Sequence, residues 1–238
     1  MEAASQGQSA DGAMQGPGGP LELRYFDCPG KGQSIRLACA LGGLELKDTR
    51  LSRAEFDVLR DSGELPFGQL PVLDLPSGER LAMTSAMLRL VGRWGGLYPT
   101  NPVEACHVDM LLDLEADLMQ PMLLTVYPAR LGLPTFRDAE ELVARRRALL
   151  AEGGPVARRL QQLQLALARF GFGPEDGDPW AAGTSKPSIA DCALVPRLAY
   201  LASAELQGVP QDVLQPYPLV AALVERFKRL QVVQAVGI

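Results

Sequence analysis

Few residues in this chain are equipped for chemistry, and two of them share one short segment. Tyr25 closes the run Leu21-Glu22-Leu23-Arg24-Tyr25, whose alternation of apolar and polar residues predicts a half-buried strand. It opens onto a glycine loop, Asp27-Cys28-Pro29-Gly30-Lys31-Gly32. The segment therefore holds a phenol able to donate a hydrogen bond and a thiol that becomes a nucleophile once ionised. Further along, Ser85 heads a predicted helix, where unpaired N–H groups and the helix dipole can hold an anion. Metal chemistry has no such footing. Cys28, Cys39, Cys106 and Cys192 lie far apart without a C-x-x-C pair, and the single histidine, His107, cannot complete a usual zinc set with them. The same spacing disfavours a disulfide scaffold.

The elements that must position these groups can be read from periodicity. After the strand 21–25 and the glycine loop, apolar residues from Ile35 follow a helical spacing that stops at Gly42-Gly43. A strand over 46–51 follows. Ser52-Arg53-Ala54-Glu55 is a capping box and starts a helix over 53–61. Val72-Leu73-Asp74-Leu75, Pro76-Ser77-Gly78 and Arg80-Leu81-Ala82-Met83 read as a hairpin, and the helix headed by Ser85 runs to about Trp94. This order of elements is that of one small mixed sheet carrying helices. Beyond a linker, 95–102, the pattern is helix after helix: 103–127 with a kink at Pro121, 138–151, 156–170, 189–206 and 219–230. Ser188-Ile189-Ala190-Asp191 is a second capping box. The expectation is an α/β domain over 21–95 followed by an all-α domain over 103–238. The Gly-, Ser- and Pro-rich residues 1–20 are expected to form a disordered tail.

Composition narrows the function classes. The chain has 238 residues, 47% apolar and 21% charged, which suits a folded globular protein. Its formal net charge of -5 offers no cationic face for a phosphate backbone, so nucleic acid is not an expected partner. Residues 1–20 carry neither Lys nor Arg and no apolar run, and no apolar stretch reaches the roughly 18 residues of a membrane span. A reducing, cytoplasmic location is expected.

Several of these motifs occur together in one known family. Tyr25-Phe26 closing the first strand, the glycine loop, Ile35-Arg36, Phe67-Gly68-Gln69-Leu70-Pro71-Val72-Leu73, Thr84-Ser85 before a helix, and Gly183 ahead of Ser188-Ile189-Ala190-Asp191 resemble the cytosolic glutathione S-transferases. The resemblance covers residues 21–238 and points to the tyrosine-type classes, nearest pi and sigma. It implies an N-terminal thioredoxin-like domain followed by a C-terminal helical bundle, and a homodimer. The implied activity conjugates glutathione to soft apolar electrophiles, with glutathione as co-substrate and no bound cofactor or metal. A free thiol has a pKa of about 8.5, so little of it is thiolate at neutral pH. One hydrogen bond donated to the thiolate stabilises it by about 1.5 to 3 kcal/mol, one to two pKa units. The resemblance makes Tyr25 that donor; taken alone, Tyr25 equally suits a ring packed in the sheet with a local hydroxyl partner.

The same resemblance assigns the remaining contacts. Gln69 and Leu70 precede Pro71, which the family holds in a cis peptide, and the Leu70 backbone pairs with the cysteinyl part of glutathione. Thr84 and Ser85 hold the γ-glutamyl carboxylate. Lys31, Phe56 and Arg60 stand where the family binds the glycyl carboxylate, although Lys31 and Arg60 could equally be solvated surface charges. Asp117 matches an aspartate that reaches across the dimer to the γ-glutamyl amine, and Phe67 an aromatic inserted into the partner subunit. Tyr127 lies where an electrophile pocket forms, with Met119, Met122 and Leu123 on the same helix.

Three departures stand out: Thr84 replaces a usual Gln, Phe56 a tryptophan, and Pro29 a common arginine. Asp27-Cys28-Pro29 also resembles the Cys-Pro of omega-class members and glutaredoxins, which leaves Cys28 as a second candidate nucleophile or a small buried apolar residue. The rival activities are thus a glutathione-dependent isomerase, a thiol-disulfide transferase, or a non-catalytic ligand-binding relative. Arg145-Arg146-Arg147 and Arg158-Arg159 read as solvated faces paired with Glu140, Glu141 and Glu152. His107 is expected to have no chemical role.

Overall fold

The computed structural model describes residues 16–237; the proposed disordered tail falls largely outside them, at residues 1–15. The described chain divides into two units between Pro99 and Thr100.

The first unit is built on a four-stranded sheet of order β2-β1-β3-β4. β1 (Leu21–Phe26) runs parallel to β2 (Leu46–Leu51), with Leu21 opposite Leu46 and Phe26 opposite Leu51. It runs antiparallel to β3 (Val72–Asp74), which forms the hairpin with β4 (Arg80–Ala82). Two parallel neighbours need a crossover, and α1 (Gly32–Leu41) supplies it. The period of two along β1 puts Leu21, Leu23 and Tyr25 on one face and buries all three. Ile35, Leu37, Ala38 and Cys39 of α1 are buried, and α1 packs on α3 (Thr84–Trp94). Phe26 points to the opposite face and packs against Phe56 of α2 (Arg53–Asp61), their ring centroids 5.3 Å apart. The Ser52–Glu55 capping box is fully formed: Ser52 Oγ accepts from the Glu55 N–H at 3.3 Å and Glu55 Oε2 accepts from the Ser52 N–H at 2.7 Å.

The second unit is helical. Its elements are α4 (Pro102–Val126), a 3-10 turn (Pro128–Leu131), α5 (Ala139–Leu150), α6 (Pro155–Arg169), α7 (Ile189–Leu201), α8 (Pro218–Lys228) and α9 (Gln231–Val236). Pro121 lies inside α4. α7 is apolar around most of its circumference, and it is the buried centre of the unit, packed on α4 and α8. The buried Ser188–Asp191 capping box opens it: Asp191 accepts from Ser188 N at 2.8 Å, Ser188 Oγ at 2.9 Å and Ala181 N at 3.2 Å.

Several element boundaries differ from the sequence-based expectation, those of α1, α7 and α3 among them. α1 begins three residues early, at Gly32, because that stretch packs directly against Tyr25. α7 stops at Leu201 rather than 206: Ser203 Oγ donates to Tyr200 O at 2.8 Å and accepts from Glu205 N at 3.3 Å, local bonds that compete with helix continuation. α3 starts at Thr84, not Ser85. Among the described residues, no helix is long and apolar enough to cross a membrane.

Candidate active site

Tyr25 sits at the end of β1 with its ring wedged between two glycines. A Cβ on Gly30 (φ +41°) would collide with the Tyr25 hydroxyl, and one on Gly32 would stand 2.7 Å from the ring. Only glycine permits this approach, and the positive φ at Gly30 is likewise cheap only there. The loop then returns the Lys31 backbone N–H to Tyr25 Oη at 3.1 Å. The residue is 9% exposed. A phenol whose oxygen already accepts a hydrogen bond is the stronger donor, since the two bonds polarise one another.

Cys28, in the same loop, is exposed and free, not a small buried apolar residue. Its neighbours Asp27 and Pro29 are exposed as well. Cys39 is the opposite case: burial pushes its thiol up to about 12, which excludes it as a nucleophile at neutral pH.

Arg36 closes the loop from beneath. It is buried; Nη1 donates to Cys28 O at 3.1 Å and Pro29 O at 3.2 Å, and Nε to Asp48 at 3.0 Å. In the sequence Arg36 stands only as part of the Ile35-Arg36 motif; an arginine inside an otherwise apolar helical repeat is the signal for this role. The bracketing of Lys31 by Gly30 and Gly32 was the signal for the Tyr25 wedge.

The start of α3 carries a correction. Met83 holds the N-cap position at φ 69°, its carbonyl accepting from the N–H groups of Ala86 and Met87, so Thr84 heads the helix and Ser85 follows. The N–H groups of Thr84 and Ser85 belong to the first turn, where helix geometry offers no intrahelical acceptor. Upstream, Leu70-Pro71 is cis, Pro71 is buried and Gln69 is exposed. Phe67 is 64% exposed.

The proposed glycyl-carboxylate residues lie differently. The Lys31 side chain is exposed. Arg60 already donates to Asp57 at 2.7 Å and Asp61 at 2.9 Å, with its guanidinium 5.5 Å from the Phe56 ring centre. Phe56 is a core residue clustered with Leu65 and Val72, and it has no polar atom for a carboxylate.

In the helical unit, Asp117 Oδ2 is 2.8 Å from Arg159 Nη2, so the cation answering this carboxylate is an arginine of α6. Tyr127 caps α4 and is 45% exposed, whereas Met119 and Met122 are core. His107 stacks on Phe170 at 4.5 Å. Arg146 overturns the reading of its cluster as a solvated face: it is buried and donates to Thr125 Oγ1 at 2.9 Å and Gln207 O at 3.0 Å. It shares the inner face of α5 with buried Leu149, three positions on, which the charge run concealed. Among the described residues, no three metal-ligating side chains gather.

Comparison with known proteins gives this geometry a context. Glutathione S-transferase 1 of Ascaris suum is 39% identical over 98 residues, 41% of this chain and 46% of that protein. Human glutathione S-transferase A3 is 27% identical over 217 residues, 91% of this chain and 87% of its own length. The chain spans about half the length of the first curated relatives it matches. The crystal structure of the glutathione S-transferase from Ascaris lumbricoides superposes with a TM-score of 0.73 at 24% identity, over 91% of this chain and 95% of that one. No protein-family model matches. By sequence the chain is similar to glutathione S-transferases, and it has their fold, a thioredoxin-like unit followed by a helical one.

Proposed function

We propose that the protein is a cytoplasmic glutathione transferase in which the Tyr25 hydroxyl stabilises the glutathione thiolate. The observation that carries this reading is the buried phenol at a strand end, its oxygen held by the Lys31 N–H. The thiol loses its proton to solvent, the thiolate sulfur bonds to a soft electrophilic carbon, and the leaving group departs with its electron pair. Tyr25 lowers the cost of the first step by donating to the charged sulfur. Glutathione is a co-substrate, and no prosthetic group takes part.

Binding follows from the surrounding backbone. The N–H groups of Thr84 and Ser85 and the α3 dipole hold the γ-glutamyl carboxylate. Leu70, beside Gln69 and the cis Pro71, pairs with the cysteinyl unit as an added strand. Lys31 is the nearer candidate for the glycyl carboxylate, since its side chain is exposed, while Arg60 must share its guanidinium with Asp57 and Asp61. Exposed Phe67 fits insertion into a partner subunit, Asp117 contact with the partner's glutathione, and Tyr127 an apolar electrophile.

Cys28 supports a second reading, because its thiol is exposed in the same loop and suits mixed-disulfide chemistry. Conjugation of glutathione to an aryl halide by the wild type, Tyr25→Phe and Cys28→Ser separates the two. Loss of rate in Tyr25→Phe alone is expected. Full activity in Tyr25→Phe with a dead Cys28→Ser would transfer the chemistry to the thiol, and a wild type that neither binds nor turns over glutathione would make the protein a binding relative.

A further inference from the structure

We propose that Arg36 is a positioning residue for Tyr25, acting through the turn that presents the Lys31 N–H to the phenol; this rests on the reading of Tyr25 as the thiolate donor. Arg36 is 5% exposed. Its Nη1 donates to Cys28 O at 3.1 Å, Pro29 O at 3.2 Å and Gln33 Oε1 at 3.3 Å. Its Nε donates to Asp48 Oδ2 at 3.0 Å; the same oxygen accepts from Arg50 at 2.7 Å, and Arg50 reaches Asp27 at 3.3 Å. Asp27, Cys28 and Pro29 are thereby tied to α1 and β2, immediately before the residues that hold the phenol.

The Arg36 guanidinium carbon lies 5.9 Å from the Tyr25 ring centre, while its nitrogens reach the loop carbonyls and Asp48. Its influence therefore runs through the loop. Nη2 is buried with no hydrogen-bond partner among the described residues. A lysine, with one compact ammonium, cannot hold Asp48 and both carbonyls in a fixed fork. With the clamp gone, the turn shifts and the Lys31 N–H no longer sets the direction in which the phenol donates.

The test compares wild type, Tyr25→Phe, Arg36→Lys, Arg36→Met and the Tyr25→Phe/Arg36→Met double variant in aryl-halide conjugation, with pH profiles of kcat/KM and melting temperatures. Arg36→Met is expected to lower kcat/KM roughly tenfold to a hundredfold. Its profile moves to higher pH, and Arg36→Lys recovers part of the loss. In the Tyr25→Phe background, Arg36→Met should change the rate by no more than about twofold. If instead the two losses multiply, or Arg36→Met keeps the wild-type pH profile, Arg36 serves the fold alone. Full activity of Tyr25→Phe would sink the Tyr25 reading itself, whichever way Arg36 behaves. Should Arg36→Met fail to fold, Asp48→Asn, which removes the charge holding Nε, carries the same comparison.

Discussion

Tyr25 and Lys31 are joined by a backbone donor and a side-chain acceptor: the Lys31 N–H meets the Tyr25 oxygen at 3.1 Å, while the lysine's own ammonium stays at the surface. Gly30 and Gly32, on either side of Lys31, make that approach possible. Gly32→Ala is expected to push the ring out of its slot. Conjugation should fall at least tenfold, the order expected from losing one oriented donor of about 1.5 to 3 kcal/mol. Steady-state kinetics beside a circular-dichroism melt check this; an active, equally stable Gly32→Ala would refute it.

Asp74 gives the sheet an acid-sensitive joint. Its burial raises the carboxyl pKa, but hydrogen bonds from Arg80 (2.6 and 3.0 Å) and Arg24 (2.7 Å) outweigh this and hold it below the usual carboxylate value. A lowered folded-state pKa means stability that is present above the unfolded value of about 3.9 and lost as pH falls through the folded one. Wild type should therefore lose stability on acidification below about pH 4 more steeply than Asp74→Asn, by urea unfolding at a series of pH values.

The capping box at α7 is placed where a cap matters most, at the start of the buried central helix. Ser188→Ala removes the acceptor for the Ala190 N–H and one donor to Asp191. Denaturant unfolding should register a loss of about 1 to 2 kcal/mol.

Arg226 pins the loop 172–187. It is buried, donates to Gly173 O, Asp178 O and Pro179 O at 2.8 to 3.0 Å, and lies 4.0 Å over the Trp180 ring. Arg226→Met leaves those carbonyls unanswered, at an expected cost of about 2 to 4 kcal/mol. Limited proteolysis should then cut within 172–187 before anywhere else in the helical unit.

Phe67 tests the proposed homodimer. Phe67→Ser should shift the mass measured by light scattering from dimer toward monomer at low micromolar concentration. An unchanged dimer would place the interface elsewhere.

Local patterning made most of the elements legible. The period of two along Leu21–Tyr25, the two capping boxes and the helical spacing beyond residue 102 depend on near neighbours, and near neighbours are what a sequence displays. Errors gathered where a contact from far along the chain, or an interaction of local backbone geometry, decided the outcome. Met83 rather than Ser85 sets the α3 start, because which carbonyl accepts the first helical N–H groups depends on how the chain leaves β4. Arg146 reads as one charge in a run until α5 packs its inner face against Thr125 and the Gln207 carbonyl.

By itself, then, the sequence determined the two-unit architecture, the strand-end tyrosine and the glycine loop after it, since each is carried by the spacing of residue types. Only the tertiary structure decided that Lys31 serves Tyr25 through its backbone, that Arg60 is already shared between two carboxylates, that Asp117 has an arginine partner in α6, and that Arg36 lies beneath the loop. Backbone N–H groups have no letter in the sequence, and a charge's partner is fixed by which elements pack together.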